Sequence, residues 1–507
     1  MYRGRKMKKW NSVEEVHKHA KKAVGQKIRN LVSEETVEKY YVSPNNKGWL
    51  GNAIESDWFQ IPNNSRAEAD IPYLNLEIKV TPIKETKNGW SAKERLTLNI
   101  FDFNDEYKRS FKNASFLEKA NLTELLYYQY LNNVEYPDMC IVNAHLFDIM
   151  KDISEEDLLI IKSDWEKIVD KIKEGKAEEL SDKLTKYLAA TTKGAKTERN
   201  MTTQPFSDVK AHRRAFTFKP SYMTQFARRL MGDKTSETIF KDINELKEKS
   251  FEEIIIDRFS PFIGKTKSDL ANQFGVTIKE KNDKSSTAIL ARKMLNISSN
   301  IQDTDEFKKA GIAVKIVTYD STKKHTYPKL EEGLKLQLPD GNYNVNPDEM
   351  LAVDWEESDV YNYLSTYKFL LVVFEKKDKE TIFRGSKFWY VPDEDLITVG
   401  QIWTKAKLIF GSSVELTYKY WNNEKGYIIK NNLPSESGKG TIFHIRPSSD
   451  KSCYNPNKKL AMRLPRKSTW INVPDDKINE FHDYYMTKQS WWFSPGYMYE
   501  QVKEFFE

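Results

Sequence analysis

The chain has 507 residues, 39% hydrophobic and 13% aromatic, which suits two or three domains with proper cores and excludes a disordered protein. Its two cysteines, Cys140 and Cys453, exclude a disulfide framework or a zinc knuckle and point to a reducing, intracellular setting. Net charge is only +6, yet residues 1–30 hold ten Lys/Arg against two Glu, and residues 191–229 hold nine against two acids, the footprint of a polyanion ligand.

No segment approaches the ~18 apolar residues of a membrane span. The basic start, MYRGRKMKKW, lacks the apolar stretch of a secretory signal, so a cytoplasmic protein is expected.

In chain order, Ser12-Val13-Glu14-Glu15-Val16 opens an amphipathic helix, with a Ser cap and early acids that suit a helix N-terminus. Residues 45–59, NNKGWLGNAIESDWF, pass from a Gly-rich turn into a second helix with Leu50, Ile54 and Trp58 as its apolar stripe and Glu55 beside it. Next, Leu74, Leu76, Ile78 and Val80 alternate with Asn75, Glu77, Lys79 and Thr81, the period-two signature of a strand. Glu77 and Lys79 share its outward face, Pro72 and Pro82 bracket it, and Asp70 falls in the turn before it. A strand over 96–103 and a helix over 157–172 follow, and the charged stretch 232–249 suits a linker.

The second half repeats the first. Ser250-Phe251-Glu252-Glu253-Ile254 echoes the opening helix 238 residues later, and Trp491-Trp492-Phe493-Ser494-Pro495-Gly496-Tyr497-Met498 matches Phe216 to Met223 at four of eight positions. Between them, 311–319 reads as a strand and the apolar run 369–374 as a buried one. The expected architecture is a tandem duplication, residues 1–235 and 236–507, each an α/β domain around a mixed sheet flanked by helices.

The chemistry lies at the strand over 74–81. Two carboxylates converging at a strand end suit a hard divalent cation such as Mg²⁺, which takes oxygen ligands and is completed by water and substrate phosphate. A lysine beside them can position or deprotonate an attacking water and offset phosphate charge. Glu-x-Lys by itself carries little weight, since it recurs at 174–176, 245–247 and 375–377. The bland alternative for 70–79 is a solvated strand face.

KGWLGNAIE followed by Asp70-x6-Glu77-x-Lys79 resembles the MutH family of the PD-(D/E)xK nuclease superfamily. The resemblance runs on through 163–180, 186–195 and 214–224, and the two-copy layout is similar to the GATC-cutting type II restriction endonucleases of that family. It implies two tandem restriction-endonuclease-like domains, the first catalytic and the second a degenerate copy that binds DNA as an effector or second site. The implied reaction is Mg²⁺-dependent hydrolysis of double-stranded DNA at a short palindrome, leaving 5′-phosphate ends, in the bacterial cytoplasm beside a cognate methyltransferase.

By the same resemblance Asp70 and Glu77 hold the metal, Lys79 acts on the water and Glu55 completes the acidic cluster. Lys47, Lys193, Arg214, Lys219 and Arg446 fall among the DNA contacts. Two departures leave methylation sensitivity open. Thr191-Thr192 stands where MutH has Arg-Pro, and Thr217 where MutH has a tyrosine close to the target adenine.

In the second half, aligning 311–319 on Val-Thr puts Val314 opposite Glu77 and Ile316 opposite Lys79; aligning on the lysine puts Ala313 opposite Glu77 and keeps Lys315. Either way the glutamate is gone, and the offset from Glu55 lands near Lys293, whereas Arg446-Pro447 keeps an Arg-Pro. One active site per chain implies a monomer that dimerises on a palindrome. The competing expectations are a non-catalytic DNA-binding protein and a nicking repair enzyme.

Overall fold

The computed structural model describes residues 8–42, 48–62, 68–131, 134–194, 197–234, 236–278, 284–421, 426–449 and 451–507. The chain divides into two compact units, Met1–Ile254 with Asp303–Gly311, and Ile255–Gln302 with Ile312–Glu507.

The first unit opens with the helix Val13–Lys21, whose Ser12 hydroxyl accepts the Glu15 N–H at 3.2 Å, and whose Val16 and Ala20 are fully buried. Its strands are β1 (Glu77–Thr86), β2 (Gly89–Ala92), β3 (Leu96–Phe101), β4 (Leu122–Gln129), β5 (Ile141–Asp148), β6 (Leu188–Thr192), β7 (Met201–Gln204), β8 (Ser207–His212) and β9 (Arg214–Phe218). A mixed sheet runs β2-β1-β4-β5, with β1 and β4 parallel, and an antiparallel sheet runs β3-β9-β6. The predicted helix over 157–172 is observed as Glu155–Lys173.

Three local expectations need correction. Pro82 lies inside β1 rather than at its end. Its missing N–H falls just beyond the β2 ladder, which begins at Ile83↔Ala92, while its carbonyl accepts the Lys93 N–H at 3.1 Å. The helix over 45–59 is a short α-turn, Trp49–Ala53, that widens into a π-helix at Ile54–Trp58. The division between units is not at 235/236. Ile239 and Phe240 are buried and donate their backbone N–H groups to the buried Glu306 carboxylate at 3.0 and 3.2 Å. The helix Asp305–Ala310 carries Lys309, which pairs with buried Asp157 at 2.7 Å. The stretch that reads as linker thus contributes to the first unit's core.

The second unit contains β10 (Ile312–Asp320), β11 (Leu334–Lys335), β12 (Lys368–Lys377), β13 (Glu380–Trp389), β14 (Glu415–Tyr420), β15 (Tyr427–Asn431), β16 (Phe443–Pro447), β17 (Ala461–Arg463), β18 (Thr469–Ile471), β19 (Tyr485–Thr487) and β20 (Gln489–Phe493). One sheet runs β10-β12-β13, with β10 and β12 parallel, and another runs β11-β20-β16. The run 369–374 is the middle of the central strand and is wholly buried, as a strand covered on both faces must be.

These sheets repeat those of the first unit. Each parallel pair has its second strand starting two residues after a helix, Ser115–Ala120 before β4 and Asp359–Thr366 before β12. Glu77 pairs with Thr123, the second residue of β4, and Ala313 with Phe369, the second residue of β12. The register therefore favours the lysine alignment: Ala313 stands at the position of Glu77 and Lys315 at that of Lys79. Phe218, which pairs with Leu96 and Leu188, likewise matches Phe493, which pairs with Leu334 and Phe443. This match sets Trp492 against Thr217, and Arg446-Pro447 against Thr191-Thr192.

Candidate active site

The spacing between Asp70 and Glu77 has a structural cause. Ile71 and Leu76 bridge each other through paired backbone hydrogen bonds of 2.9 and 3.3 Å, around a 3₁₀ turn at Pro72–Leu74. Asn75 closes the turn in the left-handed region, φ 49°, which asparagine tolerates better than bulkier residues. The residues flanking the bridge, Asp70 and Glu77, are thereby brought together. The Ile78 N–H donates to Asp70 Oδ2 at 2.8 Å, which fixes the aspartate against the start of β1.

Glu77 is 1% exposed, so the solvated-face alternative fails at this residue. Its Oε1 accepts from Lys79 Nζ and lies 3.9 Å from Lys119 Nζ, whereas its Oε2 is buried with no partner among the described residues. Burial pushes the Glu77 carboxyl up, with Asp70 adding to it against the pull of Lys79 and Lys119. For Lys79, burial favours the neutral amine, but Glu77 above all, with Asp70 and Glu55, holds the ammonium above its ordinary value. Glu55, in the π-helix, is pushed up to about 7 by burial and then by the Asp70 charge.

Sequence reasoning missed Lys119. It stands at the end of the helix Ser115–Ala120, 42 residues after Glu77, and no motif links the two. That helix is anchored by buried Glu106, which accepts the Trp165 indole N–H at 2.7 Å and lies within 3.4 Å of the Ser115 N–H. Opposite the other face of β1, buried Glu124 on β4 accepts from His17 Nδ1 at 2.9 Å and ties the first helix to the sheet.

Among the described residues no group of three or more acids, histidines or cysteines encloses a cation by itself. The orphaned Oε2 of Glu77 beside Asp70 nevertheless fits a divalent ion that takes two carboxylates and fills its remaining positions with water and phosphate.

The expected DNA contacts fare unevenly. Lys193 is exposed after β6, and Arg446 is exposed on β16, its guanidinium 4.4 Å from the Trp492 ring. Lys47 lies outside the described residues. Two are corrected, because the fold uses them inside. Lys219 is 2% exposed and donates to the Thr185 carbonyl at 2.6 Å. Arg214 is 7% exposed and donates to Thr192 Oγ1 at 2.9 Å. Thr191 and Thr217 are bonded to each other at 2.8 Å, and Thr191 also accepts from Arg95, which is paired with Asp182.

A buried glutamate beside a half-buried aspartate, with a lysine two residues on along a strand of a mixed sheet, is the arrangement a nuclease-type site needs. The family model described as DNA mismatch repair enzyme MutH matches residues 59–164, which carry Asp70, Glu77, Lys79 and Lys119. Over its whole length the chain is similar to the type II restriction enzyme Sau3AI of Staphylococcus aureus: 35% identity over 513 residues, 98% of this chain and all of that protein. The chain belongs to the MutH-like type II restriction endonucleases. It is thus a DNA-cutting hydrolase of a family that works with a divalent metal. Among the described residues no helix is long and apolar enough to cross a membrane.

Proposed function

We propose that the first unit hydrolyses duplex DNA at GATC with Mg²⁺, leaving 5′-phosphate ends, and that the second unit binds DNA without cutting it. The observation that carries this reading is the asymmetry between the two copies: Glu77 beside Lys79 in one, Ala313 beside Lys315 in the other. Two non-catalytic scaffolds would have no reason to differ in this way.

Asp70 and Glu77 would hold the ion. When bound, it supplies positive charge that polarises the scissile phosphate and eases ionisation of a water. Lys79, kept protonated by its carboxylate neighbours, is better suited to orient the attacking water and offset charge on the phosphate than to remove a proton. Glu55, with a pKa near 7, is the group in the cluster suited to take up a proton at neutral pH. Lys119 screens Glu77 from the second side. Lys193 and Arg446 serve as DNA contacts of the first and second unit. A methyltransferase that protects the same sequence and a cytoplasmic location follow from this reading.

The test is cleavage of unmethylated plasmid by the full chain and by Lys79→Ala, with Mg²⁺ or EDTA, followed by sequencing of the ends. The reading requires discrete 5′-phosphate ends at GATC, lost in EDTA and formed about 10²–10³-fold more slowly by the variant. Discrete ends at another sequence would refute GATC alone, and cleavage that persists in EDTA would refute the metal role.

A further inference from the structure

Each unit inserts a two-stranded antiparallel ribbon between two paired strands, β7-β8 between β6 and β9, and β17-β19 between β16 and β20. The two ribbons are duplicated bond for bond. In the first unit the Lys193 N–H, just after β6, donates to the Arg213 carbonyl at 2.8 Å, and the Arg213 N–H donates to the Asn200 carbonyl at 3.0 Å. In the second the Ser448 N–H, just after β16, donates to the Lys488 carbonyl at 2.8 Å, and the Lys488 N–H donates to the Leu460 carbonyl at 3.0 Å. The ladders beyond agree: Met201↔His212 and Thr202↔Ala211 match Ala461↔Thr487 and Met462↔Met486.

This match sets Lys459 at the position of Arg199 and Lys488 at that of Arg213. Arg199, Arg213 and Lys459 are exposed, and Lys488 is half-buried with its Nζ donating to the Lys458 carbonyl at 2.5 Å. Lys458, Arg463 and Arg446 add exposed cations around the second ribbon. The segments that build it, 446–449, 457–464 and 484–490, hold these five cations and no Asp or Glu. Among the described residues none of the five is ion-paired, and the neighbouring Asp483 is taken by Lys467 at 2.9 Å. The second unit has thus lost the carboxylate that hydrolysis needs, with Ala313 in place of Glu77, yet keeps a cation at both matched positions of the ribbon. Like charges crowded on one surface repel each other, and a polyanion relieves that repulsion.

We propose that the β17-β19 ribbon, through Lys458, Lys459, Arg463 and Lys488 with Arg446 beside them, is the surface by which the second unit grips the phosphate backbone of duplex DNA. The surface rests on the reading of the second unit as a DNA-binding module and gives that reading its place of contact. The first unit holds the same polyanion with the matching ribbon, through Arg199 and Arg213 beside Lys193. Contacts to phosphate carry no base information, so this surface fixes the duplex against the second unit without reading its sequence.

The test acetylates the lysines of the full-length protein in EDTA at mildly alkaline pH. It is run alone, with a short duplex containing GATC, and with a single-stranded RNA of the same length and concentration. Each lysine's rate is read by peptide mass, with exposed Lys405 on the helix Asp393–Ser412 as reference. The duplex should slow modification of Lys459 and Lys488 and leave Lys405 unchanged, and the RNA should protect them less than the duplex does. In parallel, Lys459→Gln and Lys488→Gln should each lower the slope of log affinity for the duplex against log salt by about 0.9, whereas Lys405→Gln should leave it unchanged.

If the duplex slows lysines elsewhere in 312–507 but leaves Lys459 and Lys488 as reactive as before, the second unit binds DNA and this surface is wrong. If no lysine in 312–507 is slowed, the DNA-binding reading fails and the surface falls with it. Protection by the RNA equal to or above that by the duplex would deny the surface its duplex partner and overturn the proposal. So would salt slopes that the substitutions at 459 and 488 leave unchanged.

Discussion

Glu77 and Lys315 occupy the two ends of one electrostatic argument. Glu77 tolerates burial because Lys79 and Lys119 approach it from two elements. Among the described residues Lys315 has no such partner: its hydrogen bond goes to a carbonyl, and the charge that acts on it, on Lys335, is of its own sign. A lysine whose folded pKa is depressed from 10.5 to about 8 binds fewer protons folded than unfolded between those values, so stability rises with pH across that window. Below it, the buried ammonium costs at most about 3 kcal/mol. Lys315→Met should therefore raise the melting temperature at neutral pH, and the gain should shrink as pH climbs toward 10.5. Thermal scans of both proteins across that range check it; a gain independent of pH would mean that packing, not charge, separates them. At this scale the sequence was half legible. Period-two alternation placed Glu77 and Lys79 on one face, but burial of that face and the approach of Lys119 come from the tertiary fold and leave no mark in local spacing.

Among the elements, the turn before β1 governs the site, because the Ile71–Leu76 bridge sets Asp70 against Glu77. Asn75, with φ 49°, is its one left-handed residue. Asn75→Val should cost about 1–2 kcal/mol of stability, since a β-branched side chain is crowded there. It should also slow cleavage by misplacing Asp70, whereas Asn75→Gly should keep both near wild type. Denaturant midpoints and cleavage rates check the pair, and equal loss in both variants would point to the asparagine side chain instead. Capped, periodic helices such as Val13–Lys21 and Glu155–Lys173 were legible because their signals are local. The π-helix at Ile54–Trp58 and the proline inside β1 were not. The first depends on which turn widens under packing, and the second on where a neighbouring strand stops.

For the whole molecule, the duplication was legible from two short repeats, and strand register extends it to the positions of Lys315 and Arg446. The unit boundary was not legible, because a charged stretch reads alike whether it is a linker or, as here, is held by a buried glutamate 60 residues or more along the chain. With one active site per chain, as proposed, cutting both strands of a palindrome calls for two chains. The protein should sediment as a monomer alone and as a dimer on cognate duplex in EDTA; a monomeric complex that cuts both strands under single-turnover conditions would contradict this.

The most direct test of the central claim, one catalytic unit and one inert copy, is single-turnover cleavage by Glu77→Gln, with each strand labelled separately. The substitution keeps the shape of the side chain and removes its charge. The expected result is that neither strand is cut while duplex binding persists. Cleavage of either strand at the recognition site by this variant would assign chemistry to the second unit and contradict the account.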